Sequence, residues 1–348
     1  MSQTARNVYV ASRLPKRAGV SGWVATLPPR MPRPALNGPV TVDIAIIGGG
    51  FAGLSAARRI SQLDPTALVA VLEAGIVGEG PAGANSGFII DLPHEVSSDD
   101  FSGESEAKFR QSVLIQRSAI ALATEMAAEN GWGNEIFDPC GRYSVAMSAD
   151  GDKHLEAYSG QLSKMGEVHR LLETCEIEAV TGSKAFTSGL FTPGTVIVQP
   201  AAYIRSVADC LKEPVSLFER TPVLSFERYG TGWLVKTPQG SVQAAKIVMA
   251  NNGHAESFGF FRGGCCMSSP MHRSPRSSTP HDWVANGNGR PRRLCRWVRR
   301  CDGSPLLAVT ASWCDRATAT TRASKSTMPR FAEPDGCTTK SLPIVSRR

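Results

Sequence analysis

The chain has 348 residues, enough for a two-lobed protein with a sizeable core, and its 42% hydrophobic and 20% charged residues are a globular composition, not a disordered or fibrous one. No apolar run approaches the roughly 18 residues of a membrane span, and the first 40 residues hold no continuous apolar core of a secretory signal, so a cytoplasmic protein is expected. The formal net charge of +7 is unevenly held: residues 264–348 carry 15 Lys and Arg against 5 Asp and Glu, which leaves residues 1–263 mildly acidic and without a nucleic-acid footprint.

Residues 1–41 read as an irregular arm, since Pro28, Pro29, Pro32 and Pro34 forbid regular helix there. Val42 to Ile47 is a buried strand that runs into Gly48-Gly-Gly-Phe-Ala-Gly53 and then a helix over 52–63; a second apolar run, 68–72, ends in Glu73. Gly48, Gly50 and Gly53 satisfy G-x-G-x-x-G, and each has its own task. Gly48 allows the sharp exit from the strand, Gly50 lets the backbone approach a pyrophosphate, and Gly53 lets the helix lie tight on the sheet. Phe51 and Ala52 open that helix, whose unpaired N–H groups and positive dipole end favour an anion. Glu73, 25 residues after Gly48, is placed to accept hydrogen bonds from ribose hydroxyls. The spacing therefore describes a pocket for the ADP half of a dinucleotide; an ordinary βα turn that binds nothing stays open as the alternative.

Gly75 to Gly87 is a glycine-rich loop opening into a short apolar run at 88–90. Apolar residues at helical spacing predict a long helix over 104–130, stopped by Gly131. A strand is expected at 142–147, helices at 152–165 and 167–175, a strand at 194–198, and a helix over 201–211 started by Pro200. Strands follow at 215–218 and 223–226, a hairpin at 233–237 and 241–244, and a buried strand at 246–250 that runs into Asn251-Asn252-Gly253. That last segment is either a simple turn or a second contributor to the ligand site at the carboxyl ends of parallel strands. Cys140, Cys175 and Cys210 are scattered, as expected of reduced thiols.

Five stretches, in this order, resemble FAD-dependent oxidoreductases of the D-amino acid oxidase superfamily, and within it the branch of γ-glutamylputrescine oxidase and similar amine oxidoreductases: Asp43 to Ala57, Val71-Leu-Glu-Ala74, Gly83-Ala-Asn-Ser-Gly-Phe88, Gln199-Pro-Ala-Ala-Tyr-Ile-Arg205 and Ala250-Asn-Asn-Gly-His254. The resemblance covers about residues 8–263 and implies an α/β fold: a Rossmann-like FAD domain (42–135 and 193–263) with a discontinuous mixed α+β substrate domain whose first part is 136–192. It implies FAD, held by Gly48, Gly50, Phe51, Ala52, Gly53, Glu73 and Ala74, with Ala84, Asn85, Ser86 and Gly87 against flavin and pyrophosphate. Val223 would contact the adenine end through its backbone, and Ala250 and Asn251 would border the pyrophosphate. Ala84 stands where the family usually has arginine. The implied reaction is hydride transfer from an amine or amino acid to flavin N5, giving an imine that water hydrolyses. The substrate is a small molecule, and neither nucleic acid nor membrane is a partner. The resemblance requires no protein base, so no catalytic residue is assigned. His94 would line the pocket or sit on a surface loop, and His254 would cap the following helix.

After Gly263 the composition changes: the tail holds 13 Arg against 2 Lys, and six of the nine cysteines. No C-x-x-C pair marks a zinc site, and no metal site is assigned. The arginines around Trp297 leave a basic nucleic-acid arm open, but the expectation is a largely disordered tail. Read from the third base of the Arg262 codon, codons for Gly263 onward permit Gly-Arg-Leu-Leu-His-Val-Phe-Thr, a string that resembles the same branch, so an out-of-frame tail is expected. The alternatives to a working amine oxidoreductase are a truncated or frameshifted non-catalytic flavin fold, or an NAD-dependent or other flavin enzyme sharing only the first βαβ unit.

Overall fold

The computed structural model describes residues 8–16, 19–92 and 103–261, together with the backbone of strands at 283–285, 291–300 and 307–314. The chain divides into two compact units, one of residues 1–87 and 198–274, the other of 88–197 and 275–348.

The first unit is built on a seven-stranded sheet. Its strands are β1 (Val8–Val10), β2 (Gly38–Ile47), β3 (Val69–Leu72), β10 (Val215–Phe218), β11 (Ser225–Tyr229), β12 (Gly232–Lys236) and β13 (Gly240–Met249), in the order β1-β11-β12-β13-β2-β3-β10. β13, β2, β3 and β10 run parallel, whereas β1, β11, β12 and β13 form an antiparallel meander. β2 is apolar at its carboxyl end, with Ala45, Ile46 and Ile47 buried, because strands lie on both sides of it. The two strands expected at 241–244 and 246–250 are one ten-residue strand, since its partner β2 is equally long.

Helix α2 (Phe51–Leu63) follows β2, and α6 (Pro200–Asp209) begins at a proline behind the N-cap Gln199, whose side chain accepts from Ala202 N–H. Leu36, Ile47, Leu72, Val223, Phe226, Val235 and Phe258 share one buried cluster. The arm is less irregular than its prolines suggested: it supplies β1, whose Tyr9 ring stacks on Phe226 at 5.0 Å and on Phe260 at 5.1 Å, and a one-turn helix α1 (Gly22–Ala25).

The second unit has β4 (Phe88–Ile89), β5 (Phe137–Asp138), β6 (Arg142–Ala146), β7 (Arg170–Glu173), β8 (Ser188–Thr192) and β9 (Val196–Val198), the last reaching the unit boundary, and helices α3 (Gly103–Glu129), α4 (Ala149–Met165) and α5 (Thr174–Thr181). By compactness α3 belongs here and not with the dinucleotide-binding strands, because its Phe109 and Val113 pack with Leu92, Ala146, Leu155 and Leu190. The helix expected over 167–175 is replaced by β7 and α5. Leu172 is buried while Arg170, Leu171 and Glu173 are exposed, the segment pairs with β8, and helix starts only at the capping box of Glu173 and Glu176.

Three strands lie in the tail, β14 (Trp283–Ala285), β15 (Pro291–Arg300) and β16 (Leu307–Cys314). They extend the sheet in the order β14-β15-β16-β6-β8-β7, where sequence reading expects disorder. β15 and β16 pair over eight residues and place β-formers such as Val298 and Val309 opposite each other. Cys140 and Cys210 are in no disulfide, but Cys175 is disulfide-bonded, against the expectation of a reduced residue. Among the described residues no helix is long and apolar enough to cross a membrane.

Candidate functional site

The parallel strands end in one row. Met249 is level with Ile47, Ile47 with Leu72, and Leu72 with Phe218. The ladder continues one residue further, with Ala250 N–H donating to Ile47 O, Gly48 N–H to Leu72 O and Glu73 N–H to Phe218 O, each at 2.9 Å. Ala250, Gly48, Glu73 and Glu219 therefore stand side by side at the carboxyl ends. β2 has β3 on one flank and β13 on the other, so the row lies where strand order reverses, the place where open α/β sheets bind ligands.

The three motif glycines are required for different reasons. Gly48 has φ +110°, and a Cβ there would lie 2.6 Å from Ala250 O. At Gly53 a Cβ would fall 1.9 Å from Gly48 O, so the loop and the first turn of α2 touch backbone to backbone. Gly50 differs, since a Cβ would meet nothing nearer than Ala82 Cβ at 3.8 Å; its small size keeps space open over the helix start. Gly50 offers no side chain to cap α2, and the N–H groups of Phe51 and Ala52 have no partner among the described residues. Phe51 is exposed at 41% and its ring lies 6.0 Å from that of Tyr203.

The Glu73 carboxylate accepts from Gly49 N–H and Gly75 N–H, each at 2.8 Å, which fixes its orientation and leaves one acceptor site on each oxygen for a further donor. Ala74 follows it, between β3 and the Gly75 turn. The Ala84–Gly87 loop is set by Asn85: its amide donates to Ala82 O at 2.7 Å and its Oδ1 accepts from Gly87 N–H at 2.8 Å. Gly87 has φ +81° and lies against Val198 O. Ser86 N–H has no partner among the described residues.

Val223 lies in the segment between β10 and β11. Its side chain is buried in the core, while its backbone N–H and C=O make no hydrogen bond among the described residues. Buried Asn251 Oδ1 likewise has no partner. Such groups are costly unless something else satisfies them. Asn251-Asn252-Gly253 is more than a turn, since it begins a short 3-10 helix, Asn252–Phe258. His254 lies within that helix and caps nothing, contrary to expectation, and its Nδ1 has no partner. Burial holds its pKa below the ordinary value, Arg13 adds to the effect and Glu73 opposes it. His94 lies outside the described residues.

Sequence reading missed Glu219, which is fully buried. Its carboxylate takes both contacts of Arg30 Nη1 at 2.9 Å, accepts from Val77 N–H at 2.6 Å, and also accepts from Arg33 N–H. It also missed Trp23, whose indole N–H donates to Asn85 O at 2.9 Å. Among the described residues no group of three His, Cys, Asp or Glu is placed to hold a metal ion.

The arrangement can receive a dinucleotide: helix-start N–H groups over an open glycine for the diphosphate, an oriented carboxylate for hydroxyls, and a donor–acceptor backbone pair at Val223 for a heterocycle edge. Known proteins agree in kind. The profile of the FAD dependent oxidoreductase family matches residues 43–300. A probable oxidoreductase, OrdL, of Rhizobium meliloti is 27% identical over 253 residues, 69% of this chain and 56% of that protein. The γ-glutamylputrescine oxidoreductase of Escherichia coli is 24% identical over 228 residues, 64% of this chain and 52% of its own length. The chain thus spans about half the length of the curated relatives it matches. Among solved structures, glycine oxidase from Geobacillus kaustophilus superposes with a TM-score of 0.53 at 20% identity, over 80% of this chain and 74% of that one.

Proposed function

Because the chain belongs to the family of FAD dependent oxidoreductases, we propose that it holds FAD at the carboxyl ends of β13, β2 and β3 and oxidises the C–N bond of a small amine or amino acid. The observation that carries the reading is the set of polar groups left without partners among the described residues along that row: Phe51 and Ala52 N–H, the Val223 backbone pair, and Asn251 Oδ1. Phe51 and Ala52 N–H, over the space kept by Gly50 and with Gly48 and Gly53 shaping the turn, would face the diphosphate. Glu73, next to Ala74, would accept from ribose hydroxyls, Val223 would pair with the adenine edge, and Ala250 and Asn251 would border the diphosphate. Ala84, Asn85, Ser86 and Gly87 would lie along the flavin side, with Ser86 N–H as the available donor.

When bound, FAD would supply the hydride acceptor for oxidising the carbon that bears the amine, and water would hydrolyse the imine that results. The protein's part is to bind, orient and shield. A neutral amine needs no strong base, and no side chain is assigned that role. The substrate class draws on the γ-glutamylputrescine named for the Escherichia coli relative and the glycine oxidase named for the structural neighbour. The reading keeps a cytoplasmic setting, which the free thiol of Cys140 suits and the disulfide at Cys175 opposes.

A second reading rests on the composition break after Gly263, where 13 Arg stand against 2 Lys: a frameshifted flavin fold that lacks a working substrate half. One experiment separates the two. The purified full chain should show flavin absorbance near about 375 and 450 nm that bleaches anaerobically with an amine or amino acid. A flavin band that no such compound bleaches supports the second reading, and a colourless folded protein overturns the cofactor assignment. Resequencing the DNA around codon 262 tests the frame itself.

A further inference from the structure

The arm from Ser21 to Leu36 is fastened at both ends to the first unit. At its far end Arg30 and Arg33 N–H meet the buried Glu219 carboxylate, and Leu36 N–H donates to Thr221 Oγ1 at 3.0 Å. At its near end Gln199 Nε2, on the N-cap of α6, donates to Trp23 O at 2.8 Å, and Ser21 Oγ donates to Gly83 O at 3.4 Å. Held between these points, the Trp23 indole N–H donates to Asn85 O at 2.9 Å.

The consequence follows from peptide geometry. In a planar trans peptide the carbonyl and the next N–H point in opposite directions. Fixing the Asn85 carbonyl on Trp23 therefore turns Ser86 N–H to the side away from the arm, where it has no partner among the described residues. The Asn85 side chain, bonded to Ala82 O and Gly87 N–H, prevents the peptide from rotating back. We propose that Trp23 is a positioning residue of the cofactor site: the arm is a strap whose indole N–H presents Ser86 N–H to an acceptor atom of the bound cofactor. This rests on the FAD reading above.

The test uses the full chain with Trp23→Phe, which keeps an aromatic ring and removes the N–H, and a second chain with Trp23→benzothienylalanine, which keeps the shape of the indole and also removes the donor. FAD affinity is read by quenching of flavin fluorescence, and exchange of the Ser86 and Gly87 amides is read by hydrogen–deuterium exchange on the flavin-free protein. Loss of one hydrogen bond should weaken FAD binding by roughly tenfold in both variants. Amide exchange at 86–87 should speed up, while the thermal midpoint stays near that of the wild type. Unchanged affinity with unchanged exchange in the benzothienylalanine chain overturns the proposal, whether or not Trp23→Phe folds. A fall in thermal midpoint without a selective change at 86–87 also overturns it, because it marks Trp23 as general packing. If the wild-type chain takes up no FAD, the functional reading fails and takes the presentation role with it. Faster exchange at 86–87 would then support only the loop-ordering contact.

Discussion

The row at the carboxyl ends of β13, β2 and β3 and the hollow of the second unit around Asp91 both carry polar groups and are edged by glycine, yet they dispose of those groups in opposite ways. Along the row, donors and acceptors at Phe51, Ala52, Ser86, Val223 and Asn251 lack partners among the described residues, and Gly50 leaves room at the helix start. In the hollow, about 360 Å³ in volume, Arg117 bridges Asp91 at 3.1 Å and Glu167 at 2.5 Å, and a Cβ on Gly194 would fall 1.9 Å from Asp91 Oδ2. Among the described residues, the first place leaves neutral polar groups unpartnered and the second pairs its charges internally. A search for charged clusters alone would choose the hollow; the proposed site rests instead on the unpartnered backbone groups.

The comparison breaks most severely if the glycines of the row are interchangeable. Gly53→Ala sets a methyl 1.9 Å from a backbone oxygen that cannot rotate away, so a loss above about 4 kcal/mol, seen in urea unfolding or as absence of folded protein, is expected. Full folding of that variant would show that loop and helix are not in backbone contact. Next comes Glu219, the one buried carboxylate of the row whose contacts are all internal. Glu219→Gln leaves Arg30 facing an amide and should cost about 3–5 kcal/mol. A change under 1 kcal/mol, on the order of ordinary surface substitutions, would mean that the arm is not pinned there.

Gly50→Ala sharpens the contrast, because the new methyl has space and φ is −89°. Its unfolding midpoint should match the wild type while FAD affinity drops about tenfold or more, 1.4 kcal/mol per decade. Unaltered affinity would remove the diphosphate from that position. The mirror experiment in the second unit is Arg117→Met, which strips Asp91 and Glu167 of their shared cation. With Arg117 itself 47% exposed, a destabilisation of about 1 kcal/mol is expected, at the low end for charged hydrogen bonds, with FAD affinity unchanged. If that variant lost FAD and kept its stability, the roles of the two places would be reversed.

What the chain discloses without coordinates follows the range of the interactions. The glycine loop was legible because each requirement is local: a positive φ at a strand exit, a close approach five residues away between Gly48 and Gly53, an acid at the end of the next strand. Ala250 and Asn251 were legible as the end of an apolar strand, but not their level with Gly48, which needs the parallel pairing of β13 with β2. Trp23 and Glu219 were not legible, because their partners lie 62 and 189 residues away in sequence. The segment 167–175 was misread for a related reason: a short apolar pair at Leu171 and Leu172 carries both periods, and only pairing with β8 chooses the strand. The strands at 291–300 and 307–314 were hidden by arginine-rich composition, although β-formers recur within them.

The smallest effect concerns His254, which lies one turn beyond the row. Burial lowers its pKa from the ordinary 6.5, Arg13 lowers it further, and Glu73 raises it in part. The unfolded chain therefore takes up the proton at a higher pH than the folded one. Below about pH 6.5 the unfolded state holds more protons, so stability is intact above that value and declines as pH falls through it. His254→Gln removes the titration. Urea unfolding of both chains should give a wild-type advantage that shrinks between about pH 7.5 and pH 5.5. A difference independent of pH would show that burial does not lower the His254 pKa in the folded state.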